Sequence, residues 1–170
     1  MFFLYILLVI IGVPALVMLV SVFIGIPCLP THKKQAKVLI ELCDIKPGTK
    51  VVDLGSGHGR LVMLAAEKGA EVVGYELNPF LVLFSRWLIK RKGLSDRAKI
   101  RWQSLYKADI READVVTTFL FKKPMVKLVA GLFRSLKPGA KVVSYTFPIK
   151  DWQPIVRKEG ISVYEKKVDD

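Results

Sequence analysis

The sequence predicts an α/β domain with a Rossmann-like, doubly wound and mostly parallel sheet, preceded by one N-terminal transmembrane helix. Short apolar runs rich in β-branched residues alternate along the chain with helical patterns, as in parallel sheets that carry helices on both faces. The first such run ends in a glycine-rich loop that opens a helix. The first 31 residues hold no charged side chain, whereas every Lys, Arg, Asp and Glu lies beyond them.

Residues 1–27 are predicted to be a membrane anchor and residues 28–170 the folded domain. A helix over residues 1–26 would reach roughly 39 Å, enough to cross a hydrocarbon core about 30 Å thick. A cleaved signal peptide fits less well because no basic residue precedes the run and no small-residue cleavage site follows it. Three lysines occur within residues 33–37. The positive-inside rule therefore predicts a single-pass protein with its domain on the cytoplasmic side.

The remaining elements follow from apolar periodicity and from the turn signals between them. Helices are expected at residues 33–43, 60–68, 80–92 and 122–136. Strands are expected at residues 50–54, 71–76, 98–103, 113–120 and 140–147, with a terminal hairpin at 154–157 and 161–166. Ligands of such sheets bind outside the carboxyl ends of the strands, so the residues that follow each strand are the candidate site.

The first predicted strand runs into the pattern D-x-G-x-G-x-G at residues 53–59. Glycines let the backbone come close to a ligand, and the N-terminus of the following helix favours negative groups. Asp53 precedes the first glycine, where an acid suits a ligand with a charged amino group better than it suits a pyrophosphate. The methionine end of S-adenosyl-L-methionine is such a ligand.

The second predicted strand ends at Glu76, 21 residues after Gly55. An acid at this place accepts hydrogen bonds from ribose hydroxyls. Enzymes that use NAD share this feature, so Glu76 alone does not discriminate between cofactors. The combination of Asp53, the glycines and Glu76 favours S-adenosyl-L-methionine over a structural βαβ unit with incidental glycines.

The segments DLGSGHGR (residues 53–60) and GYELNP (residues 74–79) resemble motif I and the following acidic motif of class I, seven-strand methyltransferases. The sequence is more similar still to the small protein-lysine methyltransferases. These include membrane-anchored mitochondrial enzymes that modify the ring-forming c protein of ATP synthase and the adenine nucleotide translocase, and an archaeal enzyme. The similarity covers about residues 27–166. It implies a class I methyltransferase fold, S-adenosyl-L-methionine as cofactor, and lysine N-methylation of a membrane-associated protein.

The resemblance also implies a cofactor site. Asp53 and the glycines would hold the methionine end, Glu76 the ribose, and Ser104 and Leu105 the adenine. The full set of candidate cofactor-binding residues is Asp53, Leu54, Gly55, Ser56, Gly57, Glu76, Leu77, Asn78, Ser104 and Leu105. Two residues depart from the family pattern: His58 stands where relatives usually have Asp, and Ser104 stands where they have Asp or Asn.

The substrate cleft is expected beyond the fourth strand. Its candidates are Thr31, Thr117, Thr118 and Phe119, although Thr118 and Phe119 fit ordinary strand core equally well. Tyr106 and Tyr145 could line the same channel or simply pack. No catalytic residue can be assigned, and the two histidines and two cysteines have no metal-ligand spacing.

The net charge of +12 points to acidic partners. Its densest basic cluster lies within residues 86–101, which suits anionic lipid headgroups, a solvated helix face or nucleic acid. Nucleic acid is disfavoured because the Asn or Asp with Pro-Pro of amino-directed enzymes is missing after the fourth strand. Two alternatives to a lysine methyltransferase remain: a methyltransferase of a membrane quinone or lipid, and a non-catalytic, membrane-tethered module that binds the cofactor.

Overall fold

A computed structural model describes residues 2, 3, 5–7, 9, 11, 12 and 33–167. The strands are β1 (Lys50–Leu54), β2 (Glu71–Glu76), β3 (Ala98–Trp102), β4 (Val115–Thr118), β5 (Lys141–Tyr145), β6 (Val156–Lys158) and β7 (Ile161–Glu165). The helices of the domain are α1 (Lys33–Leu42), α2 (Arg60–Glu67), α3 (Pro79–Arg91) and α4 (Lys122–Ala130). Two short 3₁₀ turns cover Leu105–Lys107 and Leu132–Ser135.

The strands form one seven-stranded sheet in the order β3-β2-β1-β4-β5-β7-β6. Strands β1 to β5 pair in parallel, and β7 lies antiparallel between β5 and β6. The strand order reverses between β1 and β4, which is where doubly wound sheets bind their ligands. This architecture confirms the predicted sheet and is the class I methyltransferase fold.

The sheet buries apolar side chains on both faces, because successive residues of a strand point to opposite sides. Val51, Val115 and Val143 pack with α1, α2 and α3. On the opposite face, Val52 and Val116 pack with α4 and with the two 3₁₀ turns. We refer to these two sides as the α1–α3 layer and the α4 layer.

The helix predicted at 122–136 is wrong in its second half. It ends at Ala130, and Gly131 adopts φ −121° and ψ −86°, outside the helical region. Glycine has the highest entropic cost of any ordinary residue in a helix, and the chain continues as the 3₁₀ turn instead. The strand predicted at 113–120 is also shorter, since Asp114 uses its side chain to accept a hydrogen bond from the Lys50 amide at 2.7 Å.

The predicted transmembrane helix lies largely outside the described residues, which omit 1, 4, 8, 10 and 13–32. The described residues between 2 and 12 are helical. Within the part of the chain that the structure describes, we find no helix with both the length and the apolar character needed to span a bilayer.

Candidate active site

The glycine loop, residues 55–59, connects β1 to α2 and turns across the carboxyl end of β2. The amides of Gly55 and Ser56 both donate to the Tyr75 carbonyl, at 2.9 and 3.0 Å. Gly55 has φ +85°, a left-handed conformation that side chains rarely adopt. Gly59 caps α2 without a side-chain hydrogen bond. The first amides of α2 therefore lack a side-chain cap and are suited to a ligand carboxylate.

Glu76 is held by three backbone amides. Its Oε2 accepts from Gly57 at 2.9 Å, and its Oε1 accepts from Leu77 and Asn78, both at 2.8 Å. An ionised carboxylate has about four acceptor positions, so roughly one remains for a ligand hydroxyl. The same carboxylate thus fixes the glycine loop and still faces the predicted ribose position.

Asp53 lies one strand away and is only 4% exposed. The Thr117 hydroxyl on neighbouring β4 donates to its Oδ1 at 2.7 Å. Burial raises the pKa of the Asp53 carboxyl to about 7, the hydrogen bond from Thr117 opposes this rise, and the nearby Glu76 charge adds to it. A cation placed beside Asp53 would stabilise its ionised form.

Gly74 in β2 is a residue that the motif pattern includes but to which the sequence assigns no role. A Cβ at this position would lie 2.7 Å from the Ser56 Oγ and 2.8 Å from the Ile100 Cδ1. The glycine loop therefore rests directly on β2, and the absence of a side chain at Gly74 is what permits the contact. Such a requirement is visible only once the two segments are placed together.

The other cofactor candidates divide into two groups. Leu54 and Leu105 are buried in the α4 layer, so their side chains serve the core. Asn78 caps α3, with its Oδ1 accepting from the amides of Phe80 and Leu81. An Asn followed by Pro at the first helical position is a capping signal that could have been recognised in the sequence.

Leu77 and Ser104 complete the set. Leu77 is exposed, and its carbonyl accepts from the Trp102 indole nitrogen at 2.9 Å. Ser104 is half-buried and precedes the 3₁₀ turn, where its carbonyl accepts from the Lys107 amide. The residues that the sequence predicts after β1, β2 and β3 thus lie along one edge of the sheet, as parallel pairing requires.

The carboxyl ends of β4 and β5 carry aromatic side chains instead of carboxylates. The rings of Phe119 and Tyr145 lie 4.8 Å apart, and those of Phe121 and Phe147 lie 5.1 Å apart. All four rings are at least partly exposed. The sequence named Phe119 as a cleft residue, but the pairing of β4 with β5 was needed to bring the other three rings beside it.

Of the remaining cleft candidates, Thr117 bonds to Asp53, as described above, and Thr31 lies outside the described residues. The Thr118 hydroxyl is buried without a hydrogen-bond partner in the structure, as is the Ser56 hydroxyl. Buried hydroxyls usually find a partner. These two lie at the carboxyl ends of β4 and β1, the strands that meet where the strand order reverses.

These features fit the expected cofactor. Two unpartnered buried hydroxyls, an uncapped helix N-terminus and a fixed carboxylate offer hydrogen-bonding groups of both kinds. S-adenosyl-L-methionine carries a carboxylate, an ammonium, a ribose diol and an adenine, so it can use all of them.

The sequence matches known proteins over most of its length. The model of the ANTKMT methyltransferase domain matches residues 53–156, more than half of the chain. The Homo sapiens lysine N-methyltransferase that is named for the c protein of ATP synthase is 37% identical over 137 residues, which are 80% of this chain and 58% of that protein. The chain thus spans a little over half the length of this curated relative.

Two further proteins match more of their own length. The protein-lysine N-methyltransferase of Saccharolobus islandicus is 35% identical over 81% of this chain and 85% of its own. A crystal structure described as an RNA methyltransferase from Salinibacter ruber, in complex with S-adenosyl-L-homocysteine, is 40% identical. It has a TM-score of 0.75 and covers 81% of this chain and 92% of that one. The chain therefore belongs to the ANTKMT methyltransferase domain family, within the S-adenosylmethionine-dependent methyltransferases of class I fold.

Proposed function

We propose that this chain transfers the methyl group of S-adenosyl-L-methionine to the side-chain amine of a lysine in a membrane-associated protein. The observation that carries the proposal is the glycine loop, held between the carboxylates of Asp53 and Glu76 at the ends of β1 and β2. Membership of a family with several lysine methyltransferases supports the choice of acceptor.

In this proposal, Asp53 and the glycine-loop amides bind the methionine end of the cofactor. Glu76 accepts from a ribose hydroxyl through its remaining acceptor position. Ser104 and Leu105 lie beside the adenine, where the serine hydroxyl takes the place of the more usual carboxylate or amide. Leu77 and Asn78 contribute through their backbone, because the Asn78 side chain already caps α3.

The lysine side chain enters between the aromatic rings at the ends of β4 and β5. Phe119 and Tyr145 form an apolar wall for its methylene groups, and the unpartnered Thr118 hydroxyl lies at the end of the same strand. A lysine amine is protonated at neutral pH, and removing that proton costs about 4.6 kcal/mol at pH 7. Rings that exclude water reduce this cost because desolvation disfavours the charged form.

Bound S-adenosyl-L-methionine supplies a methyl group on a positively charged sulfur, which keeps the electron pair of the breaking C–S bond while the lysine nitrogen forms the new N–C bond. The chain's own residues have a positioning task, since in-line displacement depends on alignment. The lysine proton passes to water before the transfer. No side chain of the chain is required as a base in this scheme.

The membrane location rests on the first 31 residues, which contain no charge. Their described apolar side chains, between Phe2 and Ile11, are 41–80% exposed and so are not buried against the domain. We propose that residues 1–27 span the bilayer once and that the lysines after them keep the domain on the cytoplasmic side. Alkaline carbonate extraction should leave the full chain in the membrane pellet; release into the supernatant would contradict the anchor.

The acceptor is tested by incubating membranes from a strain that lacks this gene with the full chain and methyl-labelled S-adenosyl-L-methionine. We expect acid-stable label on lysines, located by mass spectrometry of the membrane proteins. A chain carrying Glu76→Ala is the matched control and should incorporate far less label.

The other outcomes each contradict the lysine assignment. Label confined to the lipid extract would identify a quinone or lipid methyltransferase. Label confined to RNA would place the chain with the Salinibacter ruber protein. Cofactor binding without any label in proteins, lipids or RNA would identify a non-catalytic module.

A further inference from the structure

Helix α3 has apolar residues on its outer face as well as on its inner face. Its inner face packs on the sheet through Val82 and Ile89. Its outer face carries a row of exposed apolar side chains: Phe80, Leu83, Phe84 and Trp87. The spacing i, i+3, i+4, i+7 places them on one stripe of the helix. We refer to these four residues as the α3 stripe.

The α3 stripe continues onto the edge of the sheet. Trp102, at the end of β3, is 65% exposed and binds the Leu77 carbonyl through its indole nitrogen. Leu77, just before α3, is exposed as well. Contiguous exposed apolar surface on a folded domain is typical of an interaction site.

The residues beside the α3 stripe are basic. No acidic residue occurs in Pro79–Arg91, whereas Arg86, Lys90 and Arg91 do. The Arg91 guanidinium lies 5.3 Å from the centre of the Trp87 ring. Lys92 also follows but is paired with Glu67 at 2.6 Å, so its charge is partly neutralised. A row of Trp, Phe and Leu bordered by Lys and Arg is typical of helices that lie in the membrane interface.

We propose that the α3 stripe binds the surface of an anionic bilayer, with its apolar side chains at the level of the upper acyl chains and Lys90 and Arg91 at the headgroup phosphates. α3 belongs to the same layer as α1, which directly follows the apolar N-terminal segment. The segment and the α3 stripe therefore connect to the same side of the sheet.

Two other occupants fit the stripe less well. Single-stranded nucleic acid needs free aromatic faces for stacking, but the Trp87 ring already stacks with Phe84 at 5.9 Å and contacts Arg91. A second copy of the chain would place the same basic residues opposite one another, which opposes self-association. An anionic lipid surface instead complements their charge.

The positions of the three tryptophans provide a direct test. Trp87 and Trp102 lie at the stripe, whereas Trp152 packs in the α4 layer against Phe133 and Tyr164. Residues 1–31 contain no tryptophan, so tryptophan emission does not report on the N-terminal segment. The experiment reconstitutes the full chain into vesicles whose acyl chains carry bromine, a short-range quencher.

Trp152→Phe keeps only the two tryptophans at the stripe. In vesicles with about one-third acidic phospholipid we expect roughly twofold quenching of its emission, falling in all-zwitterionic vesicles and at high salt. A chain with both Trp87→Phe and Trp102→Phe keeps only Trp152 and should show little quenching in either vesicle. Equal quenching of the two proteins, or quenching that ignores lipid charge, would overturn the proposal.

A pair of charge variants provides an independent readout. Leu83→Glu places an acid in the α3 stripe and should reduce the quenching of the stripe tryptophans severalfold. Val126→Glu, at a similarly exposed apolar position on α4, should leave it unchanged. Both sites are on the surface, so both proteins should fold. Protection of Trp87 from acrylamide by single-stranded RNA alone, or by self-association in detergent alone, would also overturn the proposal.

Discussion

The two halves of the candidate site hold their side chains by different means. At the ends of β1 and β2, a network of backbone hydrogen bonds to Tyr75 and Glu76 fixes the glycine loop. At the ends of β4 and β5, ring contacts such as Phe119–Tyr145 dominate, and the Thr118 hydroxyl has no partner in the structure. The first half therefore suits one ligand of fixed shape, whereas the second half can accommodate a flexible side chain.

The largest effect expected from the first half is the titration of Asp53. Its pKa is raised from 3.8 to about 7, mainly by burial, so the folded chain binds this proton more tightly than the unfolded chain. The resulting stabilisation is fully present below pH about 4 and is lost as the pH rises through 7, on the order of 4 kcal/mol. Urea denaturation of the full chain in detergent over this pH range measures it.

Asp53→Asn is the matched control, because it retains every other titrating group. Its free energy of unfolding should fall less between pH 4 and 8 than that of the wild type. Parallel curves for the two proteins would show that Asp53 does not titrate in this range. The cationic cofactor favours ionised Asp53, so its affinity should rise with pH through 7 in the wild type only.

Gly74→Ala tests the contact between β2 and the glycine loop. The added Cβ would lie within 3 Å of Ser56 and Ile100, and such overpacking costs about 1–3 kcal/mol of stability. We expect weaker cofactor binding by calorimetry together with a lower urea midpoint. Gly131→Ala is the control, since its nearest contact would be an ordinary 3.5 Å. A Gly74→Ala chain with wild-type affinity would separate the loop from β2.

Glu76→Gln tests the carboxylate with little change in shape. The amide can accept from Leu77 and Asn78 through its oxygen, but its NH₂ group then faces the Gly57 amide as a second donor. Cofactor affinity should fall by about 1–3 kcal/mol. Glu71→Gln, at the other end of β2, should bind normally. Unchanged affinity in Glu76→Gln would remove this residue from the site.

Tyr145→Leu tests the second half and should have the smallest effect. Losing one aromatic pair is worth about 0.5–1.5 kcal/mol, which should appear as a higher KM for the lysine-bearing acceptor. Cofactor affinity should stay constant, since that site is formed by β1 and β2. Tyr106→Leu, whose ring contacts Lys127 at 4.5 Å, is the control. A change in cofactor affinity in Tyr145→Leu would show that the two halves are not separate.

The sequence predicted the first half better than the second, for a physical reason. Strands β1 and β2 have the bounds that their apolar runs predict, and the glycine motif reports directly on backbone geometry. The aromatic pairs depend on which strand lies beside β4, which no local pattern specifies. For the same reason, Gly74 gains its meaning only when Ser56 is placed above it. The misassigned end of the 122–136 helix shows a local preference at Gly131 prevailing over apolar periodicity.

Glu76 also joins two segments that the sequence separates. One oxygen binds the glycine loop, and the other binds the amides of Leu77 and Asn78 at the entrance of α3, the helix of the proposed lipid contact. Ordering one segment therefore lowers the entropic cost of ordering the other, and thermodynamic linkage makes that coupling reciprocal. A single carboxylate gives this small domain a route by which occupancy of its cofactor site and the seating of its outer helix can influence each other.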